Sequence, residues 1–112
     1  MEVEIVGDAL SSLQDQYIFI TNNLDTYLGS CKKDSDKDAI TTNYVNSRRN
    51  YWNCIDKGFH DDDPKVIAAV QQVKTAQQNL KNSLSNLNDI ASVIKVITEA
   101  VKIGSQLAAL AG

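Results

Sequence analysis

From Val3 to Cys31 the apolar side chains fall at Val3, Val6, Leu10, Leu13, Tyr17, Ile20, Leu24, Tyr27 and Cys31, in steps that alternate between three and four. This is a heptad seam. A helix that buries one stripe against other helices needs this period, whereas a strand turns every second residue to the same face and cannot use it. Tyrosines at two seam positions favour the interior of a bundle, with phenolic tips reaching its edge, over a tight two-stranded zipper. A second run keeps one phase for longer. Val66, Val73, Leu80, Leu87, Ile94, Val101 and Ala108 are each seven apart, and neither glycine nor proline lies between Pro64 and Gly104.

The pattern predicts an all-α fold with helices near 3–29, 36–57 and 64–110. Ser35 and Asp38 form an S-x-x-D start for the second helix. Its apolar face carries Ile40, Tyr44, Tyr51 and Ile55, with Val45, Trp52 and Phe59 alongside. Arg48 and Arg49 interrupt that face, and their long stems can cover apolar surface while the charged heads stay wet. Gly58 suits a helix end. Asp63 followed by Pro64 is a strong start signal, and the clustered acids of HDDDP suit the positive end of a helix dipole. Chains that turn back usually lose phase, so the constant period over 64–110 favours one continuous helix, roughly 70 Å long. The result is an elongated bundle or hairpin of three helices with a long C-terminal helix. The rival is a break near 86–89, with Asn86 or Asn88 capping a fourth helix, which gives a compact four-helix bundle.

The 112 residues form one domain, 1–112, long enough to bury roughly 65% of its unfolded surface. Five glycines and one proline fit long helices better than a strand-and-turn fold. Residues 1–63 hold twelve acids and six bases, and residues 64–112 two acids and five bases. An acidic two-helix half can therefore lie against a basic, apolar-tailed half, within one molecule or between head-to-tail copies. A net charge of −3 argues against nucleic acid as the main partner, because phosphate neutralisation needs a basic surface. The opening MEVEIVG has acids where a secretory signal needs bases, and no run of about 18 uncharged apolar residues occurs. The expectation is a cytoplasmic protein, or one exported without a cleaved signal peptide. Two cysteines are too few for a disulfide framework and fit a reducing compartment.

Candidate chemical sites reduce to structural roles. Asp34, Asp36 and Asp38 imitate the opening of a calcium loop, but Ala39 stands where the sharp turn needs Gly and Val45 where a bidentate Glu is required. His60 beside Asp61, Asp62 and Asp63 has no second His or Cys nearby in sequence to complete a metal site, and these acids read as helix caps. Cys54 lies in an aromatic, apolar setting that raises a thiol pKa, so it reads as buried and inert. No nucleophile, base and orienting acid can be assembled around the single histidine. The expectation is no catalytic residue, no metal and no cofactor: not an enzyme.

The tail, NDIASVIKVITEAVKIGSQLAALAG, carries the functional reading. Ile90, Val93, Ile94, Val96, Ile97, Val101, Ile103, Leu107 and Leu110 leave only a narrow polar strip, on which Lys95 and Lys102 lie. A helix apolar around so much of its circumference must be covered by protein or lipid, and five or six uncovered aliphatic side chains would forgo roughly 8–15 kcal/mol. Three covers exist: the chain's own bundle, the tails of sister copies or a partner, and a membrane. The second is expected: an interaction or assembly subunit associating through 88–110 as a homo-oligomer or with a helical partner. Ile18 and Phe19 on the outside of the first helix form a second patch. Lys74, Lys81, Lys95 and Lys102 share one line that reads as a solvated shoulder beside the seam, with Asp8 and Asp15 of another copy or anionic lipid as the sharper readings. The alternative is a membrane-active helical protein, toxin-like or a pore component, whose Lys95 and Lys102 meet anionic lipid.

Overall fold

The computed structural model describes residues 7–112, so Val3 and Val6 of the seam lie outside the described residues. The described chain is helical throughout: α1 (Asp8–Asn22), α2 (Leu24–Gly29), α3 (Asp34–Ile55), α4 (Pro64–Ser83) and α5 (Ile90–Ala108). The first seam is interrupted once, at Asn23, whose backbone leaves the helical region at φ −109° and ψ 8°. Its side-chain amide donates to the Phe19 carbonyl at 2.8 Å, the local side chain-to-backbone competition that Asn offers a helix. The seam nevertheless continues across the break. Leu13, Ile20, Tyr27 and Cys31 are buried, and Leu10, Tyr17 and Leu24 are half-buried beside them.

α3 begins at Asp34, and no side chain caps it, so the Ser35 start is not used. Its inner stripe is Ile40, Asn43, Ser47 and Cys54, rotated from the predicted face; Tyr44 and Tyr51 are half-buried, while Ile55 is exposed. The rotation follows from hydrogen bonding. Asn43 is held toward α5 by its Nδ2, which donates to Thr98 Oγ1 at 3.0 Å, and Ser47 can be buried because its Oγ is satisfied within the helix by the Tyr44 carbonyl at 2.8 Å. Gly58 ends the helix as expected, at φ +68°, and its N–H donates to the Cys54 carbonyl at 2.9 Å. The start of α4 also follows the sequence: Asp63 accepts from Lys65 N at 2.8 Å, and Pro64 holds the first position.

The continuous C-terminal helix is corrected. The chain breaks between Ser83 and Ile90 and folds back, and the described residues extend 50 Å at most, short of the roughly 70 Å of a continuous helix. The turn uses neither glycine nor proline. Leu84 N, Ser85 N, Asn86 N and Asp89 N each donate to the carbonyl three residues earlier, at 2.8–3.3 Å, a run of tight turns in right-handed backbone. Ser, Asn and Asp disfavour helix interiors because they compete for backbone partners. Asp89, rather than Asn86 or Asn88, caps α5, accepting from Ser92 N at 3.3 Å and Ser92 Oγ at 2.8 Å. Leu84 and Leu87 stay in contact with the core from within the turn, so the heptad line runs through it uninterrupted.

The result is two antiparallel hairpins, the acidic α1/α2–α3 and the basic α4–α5, packed face to face. α3 lies against α1 and α5, α4 against α1 and α5, and α3 does not touch α4. Between hairpins the neighbouring helices run parallel. Asn43 meets Thr98, Asn50 Nδ2 meets Ser105 Oγ at 3.0 Å, and Cys54 Sγ meets the Ala108 carbonyl at 3.8 Å, a near-constant sequence offset. The loop from α3 to α4 therefore crosses the end of the bundle diagonally. Phe59 of that loop packs on the core, and Gly112 N is tied to the Gly58 carbonyl at 3.0 Å. Two core clusters fill the interior, one around Ile20, Tyr27, Leu80 and Ile97, the other around Leu13, Val66, Val73 and Leu107.

Candidate interaction surface

The tail's apolar residues are placed inside the chain's own bundle. Val93, Ile97, Val101 and Leu107 are buried, and Ile90, Ile94, Val96, Ile103 and Leu110 are half-buried against the two clusters. This corrects their placement on an outer association face: with the turn at 84–89, α3 and α4 supply the cover that a continuous helix would have sought elsewhere. Lys95 and Lys102 are exposed on α5, and Lys74 and Lys81 on α4, so the lysine line is divided between two antiparallel helices. Asp8 and Asp15, matched above to a sister copy, line a cleft with Lys74 of this same chain. Phe19 packs against the core, whereas Ile18 is exposed.

Besides the single exposed side chains Ile18 on α1 and Ile67 on α4, the fold leaves uncovered an apolar and aromatic group on the outer face of α3. Val45, Arg49 and Trp52, at helical spacing, point directly away from the buried stripe of Asn43, Ser47 and Cys54. Trp52, the only tryptophan, is 55% exposed, and Val45 is 40% exposed. With Arg48 and Arg49 they line a shallow recess of about 220 Å³. An aromatic array backs this ridge: Tyr17 stacks on Tyr51 at 5.9 Å between centroids and tilts toward Tyr44 at 6.2 Å, and Tyr51 meets Trp52 edge-on at 6.0 Å. Gln14 Nε2 donates to Tyr51 Oη at 3.1 Å and fixes that ring. The sequence shows these residues on one helix; only the fold shows which of them face out.

A larger groove, about 460 Å³, runs between α4 and α5 over Ala76, Val96, Ala100 and Ile103, with Gln71, Lys95 and Glu99 among its rim residues. Small residues on both helices open it.

The remaining polar clusters have structural partners. Asp61 Oδ1 accepts from Ala9 N at 3.1 Å, so an acid of the HDDDP turn caps the start of α1 from 52 residues away. Gly7 makes room for this carboxylate: a Cβ there would push the exposed Asp61 side chain aside and weaken the cap. Tyr27 Oη lies 3.0 Å from Ser83 Oγ, tying α2 to the end of α4. Burial pushes the Tyr27 phenol above its ordinary value, and the Ser83 hydrogen bond offsets part of this. Burial likewise raises both thiols. For Cys31 the Asp36 charge adds to it and Lys37 opposes it; for Cys54 Lys57 opposes it. Both cysteines are free and belong to different core clusters. Gln16 crosses the interior from α1, its Nε2 donating to the Ala100 carbonyl at 2.8 Å over the gap left by Gly104. No helix among the described residues is long and apolar enough to cross a membrane. No family model, no curated protein and no solved structure matches this chain.

Proposed function

We propose that this protein is a non-enzymatic helical interaction or assembly subunit, and that its contact face is the outer ridge of α3 rather than the C-terminal tail. The observation that carries the reading is the exposed Trp52, flanked by Arg48, Arg49 and Val45 on the face opposite the core. Tryptophan and arginine are the residue types most enriched at binding hot spots, and a bundle helix that served only its own core would be polar on this face. The aromatic array behind Trp52 holds the ridge rigid, which lowers the entropy lost on binding. In this reading α5 contributes stability: its apolar stripe anchors the two hairpins, and its exposed side is left to Lys95, Glu99 and Lys102.

The test is photo-crosslinking in the producing cell, with the crosslinker placed at Val45 on the ridge or at Thr75 on the outer side of α4. Adducts from position 45 and none from position 75 support the reading. Adducts from neither, or from position 75 alone, sink it. The membrane-active alternative needs α5 to leave the bundle and expose Val93, Ile97, Val101 and Leu107. Dye release from anionic vesicles, abolished by a disulfide locking α5 to α3, would favour that alternative instead.

A further inference from the structure

The outer face of α3 is polarised along its length. Asp38, Val45 and Trp52 are each seven residues apart, and so lie on one line with Asp34, Thr41, Thr42, Arg48 and Arg49 close beside it. All eight side chains are exposed. Asp34 and Asp38 occupy the first third of this line with Lys37 at its margin, uncharged residues the middle, and the two arginines with Trp52 the last third, with Asp56 just past the helix end. A stripe that runs from negative through neutral to positive complements itself when a second copy is laid on it antiparallel.

We infer that the partner of the α3 ridge is a second copy of this chain, bound across a two-fold axis that passes near Thr42 and Val45. This rests on the reading of α3 as the contact face. In this register Asp38 of each copy faces Arg49 of the other, Arg48 lies beside that pair, and Val45 meets Thr42 near the axis. Trp52 of each copy covers the first turn of the opposing α3, around Ser35. Antiparallel pairing forms each charge contact twice, while a parallel pairing sets acid on acid and arginine on arginine. The 22 residues of α3 span about 33 Å, enough for both pairs and both tryptophans. A contact of one helix per copy belongs to the small interfaces, under about 1,200 Å², that give weak and reversible association. The dimer therefore forms at high micromolar protein and weakens with salt, because its charge pairs are solvent-accessible.

Light scattering and sedimentation over about 0.02–1 mM protein at low ionic strength test this. The mass should rise from 12.3 kDa toward twice that value. Asp38→Arg and Arg49→Asp should each hold the protein monomeric, since each sets like charges opposite one another, and circular dichroism should show both still folded because both side chains are exposed. Mixing the two variants should restore a dimer, one copy of each, because both pairs are then opposite in sign. Trp52→Ser, which changes no charge, should also weaken the dimer at least tenfold. Three results overturn the inference: wild type that stays monomeric throughout, single variants that dimerise as wild type does, or a mixture of the variants that stays monomeric. If position 45 still crosslinks to a different protein in the cell, only the second-copy inference has failed. If it crosslinks to nothing, the contact-face reading has failed with it.

Discussion

Gly104→Ala reverses the usual sign of a glycine replacement in a helix. Gly104 lies inside α5, where exchanging glycine for alanine ordinarily stabilises by about 1 kcal/mol. Here the new methyl group would lie 2.5 Å from Gln16 Oε1, 3.3 Å from its Cδ and 3.4 Å from its Nε2. An exposed glutamine would swing aside, but Gln16 is 1% exposed and its Nε2 is held by the Ala100 carbonyl at 2.8 Å. Its Oε1 already lacks a hydrogen-bond partner among the described residues, so displacement strands the rest of a buried amide. Losing that hydrogen bond costs about 1–3 kcal/mol, and overpacking a filled interior about 1–3 kcal/mol more. After the helix gain the net loss is about 1–5 kcal/mol, so the melting temperature falls by at least about 4 °C. Gln16→Ala empties the space the methyl group needs. In that background Gly104→Ala should stabilise by about 1 kcal/mol, a coupling of at least about 2 kcal/mol between the two sites. Urea unfolding of the four proteins, followed by circular dichroism, measures the cycle. A Gly104→Ala variant as stable as wild type, or additive effects, would refute the close approach of α5 to α1 at this point.

Ile97→Asp should unfold the whole domain, because Ile97 is fully buried and an unpaired buried carboxylate costs several kcal/mol out of a total stability of about 5–15 kcal/mol. A variant that keeps its full helical signal and merely changes its mass would return the tail to the role of an association surface. Asp61→Ala should cost about 1 kcal/mol by uncapping α1, with faster amide exchange confined to the residues after Gly7; protection unchanged there would disprove the cap. Stability should fall in alkali. The fold holds the protons of Tyr27, Cys31 and Cys54 above their ordinary values of 10.0, 9.0 and 9.0, so the unfolded chain releases them first. Their contribution is complete below about pH 9 and is lost as pH rises beyond it. A urea midpoint that stays level from about pH 8 to pH 11 would contradict this, and Tyr27→Phe should remove the part of the fall lying above about pH 10.

The acid-rich turns show why local signals were legible and long-range ones were not. Asp63 caps α4 two residues away, a contact set by backbone geometry and readable from Asp-Pro alone. Asp61, two positions earlier, finds its partner on α1, which nothing in the local sequence specifies. The outward turn of Trp52 was hidden for a related reason. Tryptophan and tyrosines at helical spacing read as a core face, but Asn43 took the interior where Thr98 of α5 offers it a hydrogen bond, and Ser47 beside it is satisfied within its own helix.

The sequence by itself determined the helical class, the first seam from Leu10 to Cys31, the start of α4 at Pro64 and the end of α3 before Gly58, because each is set by a helical period or by a start or stop signal within a few residues. Only the tertiary structure decided what the second heptad run becomes. Ser83 and Ile90 are seven residues apart, so the turn between them preserves the phase, and a period measured along the chain cannot record that its direction has reversed. Folding back lets α5 bury Val93, Ile97, Val101 and Leu107 against three helices, where a straight continuation would have left them in water. That gain in burial set the turn, made the tail part of the core, and left Trp52 on the outer ridge of α3 as the most exposed large apolar side chain among the described residues.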